Sequence, residues 1–268
     1  MRTLIKVGIS LLLLAFALIG VSYSVLRPQG GFNPGSGAGR TVRTDVRALG
    51  KNITGVELLG PINLNLSRGT TASLSVRGEQ RLLANIETSE SGGVLHIGPK
   101  GMLLHHRQPL QVELVLPMLQ QLEVRGSGDS TVNGFSGERF VLRVHGSGDV
   151  TVNGRFKHVE ANITGSGDLS LNTGNSNSVA LNLIGVGGIT ATGSSKLLRA
   201  ELSGSGKLDA EHLAADRVEV MLQGAGEARV FAKEAADVTL HGTGNINVQG
   251  HPGQRKSNST GTGEINWD

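Results

Sequence analysis

From about residue 118 onward, apolar and polar residues alternate in short runs on either side of a recurring Gly-x-Gly triplet. Apolar residues stand four and two positions before the first glycine, and again two and four positions after the second. A period of two is typical of a β-strand with one buried and one solvated face. Each repeat is therefore expected to contain two short strands, joined at a corner where glycine permits a sharp turn and a close backbone contact.

The triplet occurs eight times, at a nearly constant spacing of 18 to 20 residues. Its copies begin at Gly126, Gly146, Gly165, Gly185, Gly204, Gly224, Gly242 and Gly261. The residues expected to face inward before each triplet are Leu122/Val124, Leu142/Val144, Ala161/Ile163, Leu181/Leu183, Ala200/Leu202, Val220/Leu222 and Val238/Leu240. Those expected to face inward after it are Ser130/Val132, Val150/Val152, Leu169/Leu171, Ile189/Ala191, Leu208/Ala210, Ala228/Val230, Ile246/Val248 and Ile265/Trp267.

A period near twenty, with units too short to bury a core alone, predicts a solenoid. We therefore predict an all-β fold in which residues 118–268 form a parallel β-solenoid of about eight coils. Its final repeat carries Ser257 and Ser259 at inward positions, with the single tryptophan, Trp267, on the other strand. This degenerate repeat indicates a terminal cap. Asn133, Asn153 and Asn172 are expected to stack as a ladder at the second corner of successive coils.

Residues 42–117 are strand-like but lack the triplet, and they are expected to start the solenoid and cap its N-terminal end. Turn residues separate six candidate strands, at Val56–Leu59, Ile62–Leu66, Ala72–Val76, Leu83–Thr88, Val94–Ile97 and Leu110–Leu116. After residue 26 the pattern allows no more helix than a single turn within Glu211–Asp216.

The first 26 residues form an N-terminal segment that is distinct from the β-strand region. Arg2 and Lys6 precede an apolar run over residues 7–26, which contains Ser22 and Ser24 near its end. This pattern predicts either a cleaved signal peptide or an uncleaved signal-anchor helix, because the run is just long enough to span a bilayer. Residues 27–41 are rich in glycine and proline and are expected to be a flexible linker. Both alternatives place the solenoid outside the cytoplasm, in the periplasm or at the cell surface.

Composition excludes several classes of function. The chain has no cysteine, so it has no disulfide framework and no lipid-anchored cysteine. Three of its 25 basic residues lie in or beside the N-terminal segment, and the remaining 22 balance 22 acidic residues. A neutral exported region offers no basic stripe for nucleic acid, and with few aromatic residues it largely lacks stacking platforms for bases or sugars.

Asp129, Asp149 and Asp168 follow the triplet in three consecutive repeats. Carboxylates stacked at strand spacing, about 5 Å apart, are compatible with a structural corner, a divalent-cation site or a pair of glycosidase acids. The corner interpretation is preferred because aspartate bonds readily to nearby backbone. The same position also becomes Gly188 and then Lys207, which breaks any carboxylate ladder.

The spacing of the histidines in the sequence does not predict a shared metal or catalytic site. His145 and His241 share one outward position but lie five repeats apart, and the adjacent His105 and His106 are expected in a solvated loop. No nucleophile and base can be paired from the pattern, and no helix follows any Gly-x-Gly copy to hold a nucleotide. We therefore expect no catalytic residue, no metal site and no cofactor.

Three stretches carry a family resemblance, namely VELLGPINLNLSRG, ASLSVRGEQRLLANIETSESGGVLHI and PLQVELVLPMLQQLEVRGSGDSTVNGF. Followed by serial GSGD repeats, they resemble the putative auto-transporter adhesin, head GIN domain family over about residues 50–268. The resemblance implies a bacterial exported β-solenoid and, by its name, adhesion. Fold alone does not determine function.

Taken with the absence of a catalytic constellation, these features predict a non-enzymatic cell-envelope protein that presents a binding surface. Its partner is expected to be an envelope or extracellular ligand, either a glycan or a protein, and the membrane if residues 7–26 are retained. The alternative is a polysaccharide lyase or hydrolase that uses the stacked carboxylates. That alternative needs a long groove-forming loop and aromatic platforms for sugars, and the constant period leaves no room for such insertions.

Overall fold

A computed structural model describes residues 41–50, 52–101 and 109–268, of which Val42–Asp268 form one compact unit. The predicted signal segment, the linker up to residue 40 and both His105 and His106 lie outside the described residues. Across the described ranges, no helix is both long enough and apolar enough to cross a membrane. The architecture is all-β, as predicted.

The first part of the described chain contains seven strands and one short helix. They are β1 (Val42–Arg47), β2 (Gly55–Leu59), β3 (Ile62–Arg68), β4 (Ser73–Glu79), α1 (Gln80–Leu83), β5 (Ile86–Ser91), β6 (Val94–Pro99) and β7 (Leu110–Leu116). Strand β1 was not anticipated from the sequence. The strand predicted over Leu83–Thr88 begins only at Ile86, because α1 places Leu82 and Leu83 in the core as a helical turn.

The Gly-x-Gly region contains ten further strands. They are β8 (Gln121–Gly126), β9 (Ser130–Gly146), β10 (Val150–Gly165), β11 (Leu169–Gly185), β12 (Gly188–Gly204), β13 (Lys207–Gly224), β14 (Glu227–Gly242), β15 (Asn245–Gln249), β16 (Gln254–Gly261) and β17 (Glu264–Trp267). Residues Glu211–Asp216 lie within β13, so the helical turn proposed there is wrong. The eight corners enclose about seven complete turns of a parallel β-solenoid.

Each long strand from β9 to β14 runs from one Gly-x-Gly corner to the next, with a register shift near its middle in the pairing with a neighbour. These irregularities divide the stack into two faces. We call the segments before the Gly-x-Gly corners sheet A and the segments after them sheet B. Equivalent residues of successive turns are paired in register, as in Ile163 with Leu183 and Val152 with Leu171.

The predicted inward residues form the core. All of those from Leu122 to Val248 are buried, while Ile265 and Trp267 in the last strand are only partly buried against it. Each fully buried leucine, valine or isoleucine stabilises the fold by about 1.5–3 kcal/mol. The second corner is filled by residues that the repeat did not identify, including Phe135 and Phe156. Phe156 stacks on Phe140 with 4.8 Å between ring centroids.

The glycine corners touch one another directly. A Cβ atom on Gly165, which has φ of +140°, would lie 1.9 Å from the carbonyl oxygen of Gly146. A Cβ on Gly126 would meet the carbonyl oxygen of Gly60 at 2.1 Å. The stack of corners therefore begins at Gly60, in a layer built from β2 and β3 that has no Gly-x-Gly triplet.

Chain order and spatial order differ at the N-terminal end. Strand β2 pairs in parallel with both β6 and β8, and β3 pairs in parallel with both β7 and β9. The layer made by β6 and β7 thus lies outside the layer made by β2 and β3, although it follows it in sequence. Beyond it, β5 pairs antiparallel with β6, β4 pairs antiparallel with β7, and β1 pairs antiparallel with β4.

Candidate functional site

On the outward side of sheet A, several charged side chains form ion pairs between neighbouring layers. Ion pairs with short N–O distances join neighbouring turns, at Arg139–Glu160 (2.7 Å), Arg199–Glu219 (2.6 Å) and Lys256–Asp237 (2.7 Å). The hydrogen bond to Glu219 raises the pKa of Arg199 above its ordinary value. These pairs are solvent-exposed, and their main effect is to balance charge between neighbouring layers.

The outward side of sheet B is different, because it presents columns of uncharged polar groups beside a column of carboxylates. Thr131, Thr151, Ser170 and Thr190 occupy one register position in four successive turns. Asn133 and Asn153 lie two residues further along, and the Asn153 amide donates to the Asn133 oxygen at 2.9 Å.

The asparagine ladder is shorter than predicted. Asn172 is in register with Asn153, yet its side-chain oxygen accepts a hydrogen bond from the backbone N–H of Gly174 at 3.1 Å. This local turn replaces the contact expected between layers. The predicted ladder is therefore confirmed for its first pair and ends there.

The three aspartates use one carboxylate oxygen each to hold the corners together. Asp129 Oδ1 accepts the backbone N–H of Asp149 at 3.1 Å, Asp149 Oδ1 accepts that of Asp168 at 3.0 Å, and Asp168 Oδ1 accepts that of Gly188 at 2.7 Å. Asn63 starts the series by accepting the N–H of Asp129 at 3.0 Å. These bonds join neighbouring layers, whereas aspartate was expected to bond its own corner.

The acceptor changes after Gly188. The backbone N–H of Lys207 donates to the Gly187 carbonyl oxygen at 3.0 Å, and that of Glu227 donates to the Gly206 carbonyl oxygen at 3.2 Å. A backbone carbonyl has taken over the role of the carboxylate, so the side chain at this position no longer matters for the corner. This explains why the position accepts glycine, lysine and glutamate in the later turns.

One corner departs from the repeat at three neighbouring positions. Ile184 and Val186 are apolar where the other seven copies have polar or small residues, and their exposed fractions are 49% and 66%. Gly188 lacks the side chain that the three preceding turns carry. Gly188 was identified from the sequence only as a break in the carboxylate series. The coincidence of three departures at one corner is the sequence signal that could have revealed the site.

A cavity of about 550 Å³ opens at this corner. Its lining includes Asp149, Asp168, Val186, Gly188, Lys207 and Asp209, with Thr151, Ser170 and Thr190 on its floor. The Asp209 Oδ1 atom is buried and has no hydrogen-bond partner in the described part of the chain. A buried polar atom without a partner destabilises the protein until a donor reaches it. The cavity thus combines an apolar lip with an excess of hydrogen-bond acceptors.

Among the described residues, no group of three or more His, Asp or Glu side chains is placed to hold a metal ion. Asp129, Asp149 and Asp168 form a series along the solenoid axis, without converging on one point. His145 lies in β9 and His241 in β14, with four strands between them. The expectation that the chain uses no metal or catalytic residue stays a prediction.

Comparison with known proteins identifies the architecture. The family model described as "Putative auto-transporter adhesin, head GIN domain" matches residues 52–252. A putative adhesin from Parabacteroides distasonis is 20% identical, with a TM-score of 0.80, over 85% of this chain and 97% of that chain. A putative adhesin from Parabacteroides merdae is 17% identical, with a TM-score of 0.79, over 85% and 96%.

A putative lipid binding protein from Parabacteroides distasonis has the same fold, with 23% identity and a TM-score of 0.73 over 85% of this chain and 96% of that chain. At these identities the likeness to solved structures shows the fold alone. No curated protein matches the chain.

Proposed function

Because the chain belongs to the putative auto-transporter adhesin, head GIN domain family, we propose that it is an exported, non-enzymatic envelope protein that binds an external ligand through sheet B. The observation that carries the proposal is the contrast between the two outward faces. Several charges of sheet A are paired between layers, whereas sheet B presents hydroxyl, amide and carboxylate groups around an open cavity. Exposed polar groups on a rigid scaffold are suited to binding.

Export rests on the sequence of the N-terminal segment. Arg2 and Lys6 before the apolar run of residues 7–26 favour translocation of everything that follows. The family of adhesins agrees with a location in the periplasm or at the cell surface. Whether the segment is cleaved or retained as an inner-membrane anchor is decided by mass spectrometry of the mature N-terminus from the native host. An intact Met1 on a protein without membrane association would contradict both versions.

The enzymatic alternative, a polysaccharide lyase or hydrolase, relies on the stacked aspartates. Their Oδ1 atoms are committed to backbone N–H groups of the next turn, as described above for Asp149 and Asp168. A catalytic acid or nucleophile would have to act on substrate through the second carboxylate oxygen alone. A glycan depolymerisation screen with an Asp149→Asn control tests this alternative. Specific turnover that the substitution abolishes would establish an enzyme.

Binding is tested with the full chain, purified in mild detergent, labelled and incubated with intact cells and with isolated envelopes of its native host. We expect saturable binding that unlabelled protein displaces. The Ile163→Asp variant, which we expect to be unfolded, controls for non-specific adsorption. Equal retention of folded and unfolded chains, or no retention of either, would contradict the proposal.

A further inference from the structure

We propose that the corner formed by Ile184, Val186 and Gly188 is a subsite for a neutral glycan, with one sugar unit seated in the adjacent cavity. This inference rests on the proposed function, since it names the ligand class of the same binding face. The corner is defined by its departures from the repeat. A regular solenoid has no structural need for them.

Two exposed apolar residues, Ile184 and Val186, distinguish this corner from the others. Val186 occupies the middle position of a Gly-x-Gly triplet, where the other copies have serine, alanine or threonine. Ile184 occupies the position before the triplet, where the other copies have Arg125, His145, Thr164, Ser203, Gln223, His241 and Thr260. Both side chains point away from the core, so neither contributes to the packing of the stack. The two exposed apolar side chains lie two residues apart at one corner, where they are available to pack on an apolar surface of a ligand.

Gly188 leaves a gap in the column of side chains at this corner. In the three preceding turns an aspartate fills this place, and the next turn has Lys207. A residue without a side chain between Asp168 and Lys207 leaves a gap one layer wide. The cavity of about 550 Å³ lies at this gap, and both Val186 and Gly188 line it. Its volume is large enough to admit a small ligand at the open surface of sheet B.

The hydrogen-bonding groups determine the class of ligand. Asp149, Asp168 and Asp209 offer acceptors, and their number exceeds the single cationic donor at Lys207. Lys207 is itself drawn to Glu227 in the next turn, with 3.6 Å between Nζ and Oε2. The cavity therefore suits a ligand rich in hydrogen-bond donors and without negative charge.

A sugar ring meets both requirements. Its hydroxyl groups donate to carboxylates and to the hydroxyls of Thr151, Ser170 and Thr190, while its C–H face packs on an apolar side chain such as Val186. The buried Asp209 Oδ1 atom has no partner among the described residues, and a ligand hydroxyl that reached it would supply one. A cation is less suitable, because no set of three ligands converges among the described residues. An acidic ligand would face three carboxylates.

Two substitutions that restore the repeat test the site without threatening the fold. Gly188→Asp refills the gap with the residue of the preceding turns, and its new Cβ would lie 3.0 Å from the Asp168 Oδ1 atom, which must shift by a few tenths of an ångström. Val186→Ser restores the commonest residue of the triplet. Asp129→Asn is the matched control, because Asp129 belongs to the same ladder but does not line the cavity.

The measurement is saturation-transfer NMR on the full chain with maltohexaose, cellohexaose, chitohexaose and mannohexaose, at millimolar concentration. We expect at least one neutral oligosaccharide to bind. Gly188→Asp and Val186→Ser should each weaken its affinity about tenfold or more, which is the loss expected from a blocked gap or a lost apolar contact. Asp129→Asn should bind like the parent, and all variants should keep the parental circular dichroism spectrum.

Three results would overturn the inference. They are the absence of transfer to all four oligosaccharides, binding that survives both cavity substitutions, and preferential binding of polygalacturonate or of a peptide. The proposed function fails separately. If the labelled chain adheres to envelopes and Gly188→Asp adheres equally well, this subsite is wrong and the function stands. If the parent does not adhere at all, the function is wrong whatever the oligosaccharides show.

Discussion

At its N-terminal end the solenoid is covered by antiparallel strands, whereas no described residue covers the last parallel layer at its C-terminal end. On the N-terminal side, β5 lies outside β6 in sheet A, and β4 and β1 lie outside β7 in sheet B. Arg47 in β1 joins the two edges. Its guanidinium donates to the carbonyl oxygens of Ile86 (2.7 Å) and Leu83 (3.0 Å), and only 15% of its side chain is exposed.

The C-terminal end has no such cover in the part of the chain that the structure describes. Strand β16 pairs with β14 alone, and all eight of its residues are exposed. Its inward positions carry Ser257 and Ser259, opposite the buried Val238 and Leu240. Trp267 is partly buried in β17, and the Arg255 guanidinium lies 5.4 Å from the centre of its ring.

The comparison shows two physical solutions to one problem. An open parallel edge exposes unpaired backbone groups and invites pairing with another chain. One end hides that edge beneath irregular sequence that interrupts the repeat. The other end keeps the repeat but replaces inward leucine and valine with serine, and adds Arg255 and Lys256 as edge charges. The second solution requires fewer residues but buries less apolar surface.

The largest expected effect is that of a charge at an inward position. Ile163→Asp should unfold the chain, because an unpaired buried charge costs about 3–5 kcal/mol, much of the stability of a typical domain. Ser259→Asp, at the equivalent position of the open end, should change the free energy of unfolding by no more than about 0.5 kcal/mol. Thermal melts followed by circular dichroism compare the two. Similar melting temperatures would show that the inward assignment is wrong.

A smaller loss is expected from opening the covered end. Arg47→Ala removes the donor to two carbonyl oxygens and should cost about 2–3 kcal/mol, the range for charged hydrogen bonds. Arg255→Ala at the opposite end removes one cation–π contact and should cost about 0.5–1 kcal/mol. Urea denaturation measures both. Amide exchange should accelerate in β5 for the first variant and in β17 for the second, and the reverse order of costs would contradict the comparison.

Serine at an inward position should matter only where it is buried. Ser130 is buried in the first Gly-x-Gly turn, and its Oγ has no partner among the described residues. Ser130→Ala should therefore raise stability by about 1 kcal/mol, through removal of an unsatisfied hydroxyl. Ser259→Ala, where water reaches the hydroxyl, should have no measurable effect. Differential scanning calorimetry would detect the difference, and destabilisation by Ser130→Ala would indicate an unseen partner.

The smallest change in stability is expected at the corner position where the N-terminal layer has asparagine and the repeats have aspartate, because both residues accept the same backbone hydrogen bond. Asn63 accepts the corner N–H in the same way as the three aspartates, so Asp149→Asn should change stability by less than about 0.5 kcal/mol. Millimolar calcium or a chelator should leave the melting temperature unchanged. A calcium-dependent rise that Asp149→Asn abolishes would show that the aspartate ladder binds metal.

The regular region was predictable because its information is local and repeated. The alternation around the triplets correctly identified inward residues such as Leu181 and Val220, and the fixed spacing defined the corners. Only part of the candidate site could be predicted from the sequence. Asp149 and Asp168 were singled out, but their hydrogen bonds to the next turn depend on which backbone lies above each side chain. The cavity at Gly188 depends on neighbours contributed by other turns.

The solenoid, its inward ladders and its glycine corners follow from the amino-acid pattern alone, because period-two burial and the backbone contact at each corner permit few other residues. The order of layers at the N-terminal end, where β6 and β7 lie outside β2 and β3, and the ninth corner at Gly60 emerge only from the folded chain. The same is true of Phe135 and Phe156, which fill the second corner. These outcomes depend on pairing between distant segments, which no local pattern encodes, and on the space left between layers once the stack has formed.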